Sequence, residues 1–191
     1  MNTIKGDLLK FAKEGKFDMI VHGSNCFCTM NSGVAKQIRH NFPQAYEADL
    51  KTIKGDQNKL GTFTVARISS VDFDWETMDL RYYVDMKTSV FYVINAYTQY
   101  KYGTDKQQFD YQAFKTFLYS FKNYVELMYQ SNIRKNETGR FNDEKVKLEI
   151  GFPMIGSGLA GGDWERIEKM LEEFSETVSD VANVTIVEYV P

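Results

Sequence analysis

The sequence predicts an α/β fold: three α/β/α layers, with a mixed central sheet covered by helices on both faces. Three observations predict it. Short apolar runs bounded by Gly, Asn and Asp alternate with stretches of helical periodicity. No internal repeat or linker interrupts that alternation. With 191 residues, 43% of them hydrophobic, the chain can fill one core but is short for two ordinary domains, so residues 1–191 are expected to form a single domain.

The elements follow in order. Asn2–Gly6 reads as an opening strand, and Asp7 is placed to cap a helix over Leu8–Lys13 that Gly15 stops. Phe17–His22 is a short apolar run of buried-strand character, and Gly23–Ser32 reads as a loop. A helix is predicted over Gly33–Asn41, with Val34, Ala35 and Ile38 on one face, and Pro43 opens another that reaches Leu50. Leu60–Ile68 mixes β-branched and aromatic residues as strands do; Leu80–Met86 and Ser89–Tyr97 are further strands. Tyr111–Gln130 is the clearest helix, because Phe114, Phe117, Leu118, Phe121, Val125 and Met128 recur at helical spacing. Ser131–Glu144 is polar and reads as an exposed loop. Val146–Gly151 is a strand, Pro153–Asp163 a loop, and Trp164–Val178 a helix with Ile167, Met170, Leu171 and Phe174 inward. Val184–Tyr189 closes the chain as a strand.

Composition excludes several function classes. A protein that grips a nucleic-acid backbone ordinarily shows a basic stripe. Here the net charge is −3, and the most basic stretch, Asn132–Arg140, is interrupted by Glu137, so nucleic acid is not the expected partner. Cys26 and Cys28 sit too close to bridge easily and are too few for a metal centre, so they read as small buried hydrophobes. No metal and no cofactor is expected. The N-terminal MNTIKGDLLKF lacks the apolar run of a signal peptide, and no segment approaches the ~18 apolar residues of a membrane span. A cytosolic, reducing setting, no membrane contact and a monomer are expected.

Two Gly-rich segments lie where ligands collect in open α/β sheets, outside the carboxyl ends of strands: Gly23–Ser32 and Pro153–Asp163. Each leads into a helix. Glycine lets the backbone approach a ligand, and a helix start offers unpaired N–H groups and partial positive charge. Such loops hold phosphate without a basic side chain, and a pair on neighbouring strands suits a diphosphate. Neither a Walker loop nor a clean GxGxxG is present, so a Rossmann dinucleotide site is not supported.

The stretches KGDLL at 5–9, VHGSNC at 21–26 with NSGVAKQI at 31–38, and GFPMIGSGLAGGDW at 151–164 occur in the order and spacing of one family. On them the chain resembles the macrodomains, which bind ADP-ribose. The resemblance implies that Asp7, beside Leu8, accepts a hydrogen bond from an adenine amino group and that Asn25 contacts the distal ribose. It places Ser32, Gly33 and Val34 along the first phosphate loop, and Ser157, Gly158, Leu159, Ala160 and Gly161 along the second. Tyr189 falls near the adenine. On local sequence alone, Asp7 also reads as a helix cap, Asn25 as a turn residue and Tyr189 as core packing. His22 stands where many macrodomains carry asparagine, and Ala160 replaces an aromatic. These features look closest to the branch that includes ADP-ribose-1''-phosphate phosphatases. No lysine matches the catalytic lysine of related hydrolases, whose place falls at Tyr97, Thr98 and Gln99.

Phosphomonoester hydrolysis needs an activated water and stabilisation of the transferring phosphoryl group. His22 and Asp163 are the titratable candidates near the loops: Asp163 to position or deprotonate water, His22 as acid or base. Each has a plainer reading, His22 as a satisfied buried histidine and Asp163 as the cap of the final helix. The expected function is hydrolysis of ADP-ribose-1''-phosphate or an ADP-ribose conjugate. The alternatives are a binding module that reads or sequesters ADP-ribose, and a single-stranded RNA binder, which the acidic balance disfavours.

Overall fold

A computed structural model describes residues 1–69, 90–131 and 146–190. Six strands form one sheet: β1 (Asn2–Gly6), β2 (Met19–Asn25), β3 (Phe63–Ser69), β4 (Val90–Gln99), β5 (Leu148–Pro153) and β6 (Ala182–Tyr189). Their order across the sheet is β1-β6-β5-β2-β4-β3. All neighbours are parallel except β3 and β4. The described helices are α1 (Leu8–Lys13), α2 (Gly33–Asn41), α3 (Pro43–Leu50), α4 (Tyr111–Ser131) and α5 (Trp164–Thr177).

The period of two along each central strand divides the core. Met19 and Val21 of β2, with Ile94 and Ala96 of β4, face α4 and α5. Ile20 and Val93 face the other way, onto Leu8, Ile38, Phe42 and Ala45 of the α1–α3 side. Burial of each of the larger side chains among these contributes about 2 kcal/mol. The predicted stripe of α4 forms a ring stack: Phe117 lies 5.2 Å from Phe121, which lies 5.7 Å from Phe174 of α5. Trp164 is half-buried against this cluster.

Several boundaries differ from the sequence expectation. β2 does not end at His22: Gly23 and Ser24 keep their parallel register with Ala96 and Tyr97 of β4, so the first part of the predicted loop is strand. β3 begins at Phe63 because Gln57–Lys59 forms a short 3₁₀ helix capped by Asp56, whose carboxylate accepts from Asn58 N. β4 runs on to Gln99. The predicted strand Leu80–Met86, Ser89 at the start of the next strand, and the loop after Ser131 lie outside the described residues, while Ser131 itself ends α4. Among the described residues, no helix is long and apolar enough to cross a membrane.

Candidate functional site

Neighbouring strands β2 and β5 end side by side, so the chain segments that follow them share one edge of the sheet. Between them opens a cleft of about 510 Å³, lined by residues that include His22, Asn25, Gly33, Thr98, Gly158 and Ala160. Among the described residues, none with a formal charge at neutral pH lines it. A second hollow of about 790 Å³ lies between α1, α2 and the end of β6, and it shares Gly33, Val34 and Pro153 with the first. The two are therefore halves of one continuous groove.

The first loop is braced from within. Asn25 Oδ1 accepts from Phe27 N at 2.9 Å, and its Nδ2 donates to Thr29 O at 2.7 Å. Asn25 thus lines the cleft while acting as the turn residue. The loop ends at Ser32, the N-cap of α2, whose hydroxyl makes no cap bond. The first intrahelical bond here runs from Lys36 N to Ser32 O at 3.1 Å. The N–H groups of Gly33, Val34 and Ala35 have no acceptor among the described residues.

The second loop folds onto itself. Gly161 N donates to Gly158 O at 2.9 Å and Gly162 N to Gly156 O at 2.8 Å. Ala160 O accepts from Gln108 N and Phe109 N, fixing the loop to the start of the α4 layer. Gly156 has φ +78°, and a Cβ there would lie 2.4 Å from the Phe109 ring, so only glycine fits. The N–H groups of Gly158, Leu159 and Ala160 have no acceptor among the described residues. The loops face each other closely: a Cβ on Gly33 would stand 3.9 Å from Leu159 Cδ1.

Beneath this lies His22, 1% exposed. Its Nε2 is 2.7 Å from Asn95 Oδ1. The Asn95 amide is oriented by its other bonds, since Nδ2 donates to Ala45 O at 2.8 Å and to Thr64 Oγ1 at 2.9 Å. A carbonyl can only accept, so Oδ1 must face His22 and Nε2 must carry the hydrogen. Burial lowers the imidazole pKa below its ordinary 6.5, and the Asn95 bond, the Gly23 backbone and the charge of Asp49 together offset only part of this. The neutral ring therefore keeps its lone pair on Nδ1, which has no partner among the described residues. Thr98 Oγ1, also buried and lining the cleft, lacks a partner as well. The plain reading of His22 as a fully satisfied histidine is thus half right.

Asp163 does not join His22. Its Oδ1 accepts from Glu165 N at 3.0 Å as the N-cap of α5, its own N–H donates to Tyr111 Oη at 2.8 Å, and it is not among the cleft-lining residues. The cap reading of Asp163 accounts for its Oδ1, which the start of α5 holds to its own helix. Ser157 and Gly161 shape the second loop rather than line the cleft, the former through a hydroxyl bond to Met154 O at 2.7 Å. Ser32, Val34, Leu159, Gly158 and Ala160 do line it. Asp7 and Leu8 line the second hollow. Asp7 caps α1 through Oδ1, which accepts from Leu9 N and Lys10 N. Tyr189 also lines that hollow at 69% exposure, so core packing is not its role; β1 and β6 end together here, and its side chain emerges past the layer. Sequence reasoning gave Asn95 no role, although an asparagine inside the apolar run SVFYVINAY was the available signal.

The sheet order, the layers and the two loop positions define a macrodomain fold. The macrodomain of Mycobacterium tuberculosis DarG matches with a TM-score of 0.59 and 18% identity, over 100% of this chain and 97% of that one. A Bacteroides thetaiotaomicron protein of unknown function matches with a TM-score of 0.64 and 19% identity, over 98% of this chain and 96% of that one. Thermosipho africanus DarTG in complex with ADP-ribose matches with a TM-score of 0.61 and 15% identity, over 98% of this chain and 42% of that one. No family model matches the sequence. The chain belongs to the family of an Enterobacteria phage T4 protein, the uncharacterized 17.5 kDa protein in the tk-vs intergenic region: the two are 34% identical over 189 residues, spanning 98% of this chain and 96% of the phage protein.

Proposed function

We propose that this protein binds ADP-ribose or a close derivative along the continuous groove. The observation that carries the reading is the set of backbone amides without an acceptor among the described residues, at Gly33–Ala35 and at Gly158–Ala160, in two segments that line one cleft. Such amides hold a diphosphate. The hollow beside α1 suits the adenosine end. Asp7 uses Oδ1 as a cap and has Oδ2 free to accept from an exocyclic amine, while the exposed Tyr189 ring offers a face for the base. The DarTG structure, 42% of whose chain this fold matches, is a complex with ADP-ribose. Calorimetric titration with ADP-ribose tests the proposal: saturable heat is expected, and its absence at millimolar ligand overturns it.

One observation favours a chemical step as well. His22 lines the cleft, and its buried Nδ1 would be the atom to accept a proton from a water entering there. The activity this suits is hydrolysis at the 1'' position, of ADP-ribose-1''-phosphate or of an ADP-ribose conjugate, with the loop amides stabilising developing negative charge. Phosphate release from ADP-ribose-1''-phosphate, lost in His22→Ala, is the expected result. Binding without release leaves a module that reads or sequesters the ligand, and release unchanged in His22→Ala removes His22 from the chemical step.

A further inference from the structure

Under the first loop lies a buried cluster with no part in the ligand reading. Cys28 Sγ stands 3.3 Å from Lys59 Nζ, 3.4 Å from Asp49 O and 3.6 Å from Thr52 Oγ1. Lys59 is 6% exposed and pairs with Asp49 Oδ1 at 3.2 Å, with its ammonium 4.4 Å from the centroid of the Tyr97 ring. The Tyr97 hydroxyl donates to the same Oδ1 at 2.8 Å, while Asp49 Oδ2 is buried with no partner among the described residues.

Sulfur is a weak acceptor and a poor choice for satisfying a buried ammonium; a hydroxyl would serve better. Cys28 is also the one non-glycine residue with positive φ among those described, at +53°. A strained backbone thus holds a thiol against an amine, with a carboxylate beside the amine to take its proton.

We propose that Cys28 and Lys59 form a reversible sulfur–nitrogen cross-link when the protein meets hydrogen peroxide. In the first step the Cys28 sulfur attacks the peroxide. An S–O bond forms, the O–O bond breaks, the thiol is oxidised to a sulfenic acid, and water leaves with the thiol proton. In the second step Asp49 takes a proton from the Lys59 ammonium and the free amine attacks sulfur. The S–N bond forms and the S–O bond breaks. The departing hydroxide takes one amine hydrogen and leaves as water. Sulfenic acids condense in this way with backbone nitrogen, and an amine is the better nucleophile. Two equivalents of an external thiol reduce the link, restoring thiol and amine and yielding a disulfide. The link would fasten the β2–α2 loop to the 3₁₀ segment ahead of β3.

The test treats the full chain with hydrogen peroxide and measures intact mass. A product lighter by two hydrogens, reversed by dithiothreitol, is expected. Peptide mapping should join the Cys28 peptide to the Lys59 peptide. Cys26→Ser should keep the product and Lys59→Arg should lose it. Mapping on the unsubstituted protein decides the matter even where Lys59→Arg folds poorly. Oxygen added at Cys28 with no link, or a two-hydrogen loss that maps between Cys26 and Cys28, overturns the proposal.

Discussion

His22 and Asn95 meet at 2.7 Å on adjacent strands, and the bond fixes a tautomer as well as a position. Because Asn95 spends both amide hydrogens on Ala45 O and Thr64 Oγ1, it presents only an acceptor to the imidazole. Nitrogen-15 NMR of His22 should show Nε2 protonated and Nδ1 bare near neutral pH. A hydrogen on Nδ1 would contradict the assignment of the base. Asn95→Ala removes three hydrogen bonds at once, two of them buried, and urea unfolding should register a loss of roughly 2–4 kcal/mol.

The lowered pKa of His22 gives stability a pH dependence of known sign. Above the ordinary value of 6.5, both native and unfolded chains hold the ring neutral. As pH falls through 6.5, the unfolded chain takes up a proton that the native protein refuses. Stability therefore falls, by up to ~1.4 kcal/mol per pH unit, until the native pKa is reached. The melting temperature should drop over this range in the wild-type protein, and His22→Gln should lack that share of the drop. Equal pH profiles for the two would refute it.

Two glycines of the second loop should respond oppositely to alanine. At Gly156 the added carbon would meet the Phe109 ring at 2.4 Å on a left-handed backbone, so Gly156→Ala is expected to cost at least about 2 kcal/mol in denaturant. At Gly158 nothing lies within 4 Å, and stability should change by less than about 0.5 kcal/mol. The new methyl would nonetheless sit beside an amide assigned to phosphate. Calorimetry should show Gly158→Ala weakening ADP-ribose several-fold, and unchanged affinity would count against the second cradle.

Asp163→Ala separates capping from chemistry. Loss of the bond to Glu165 N should lower stability by about 1 kcal/mol. Ligand affinity and any phosphate release should stay at wild-type levels, because the carboxylate lies outside the cleft. A collapse of turnover at intact stability would restore Asp163 to the mechanism.

The sheet, its layers and both loops were legible in the sequence because they rest on local signals. The aromatic period of α4 and the caps at Asp7 and Asp163 are written in a few adjacent residues. What was not legible depends on partners far along the chain. Gly23 and Ser24 look like loop in isolation and become strand through β4. His22 acquires its tautomer from Asn95, 73 residues later. Lys59 meets Asp49, Tyr97 and Cys28, none of them its neighbour in sequence. Asp163 shows the converse: its local cap signal is met by the bond from Glu165 N.

The uncharged lining of the cleft bears on how binding should answer to ionic strength. Sites that hold phosphate with lysine or arginine weaken as counterions compete and screening shortens the reach of each charge. Fixed backbone dipoles inside a recess carry no net charge, so screening has less to weaken there. The chain as a whole carries a net charge of −3, so added electrolyte mainly damps its long-range repulsion of an anion. The share of the affinity that the phosphate cleft supplies should then change little with salt, unlike that of a basic phosphate site, while Lys10 and Lys36 of the adjoining hollow add a share that salt screens.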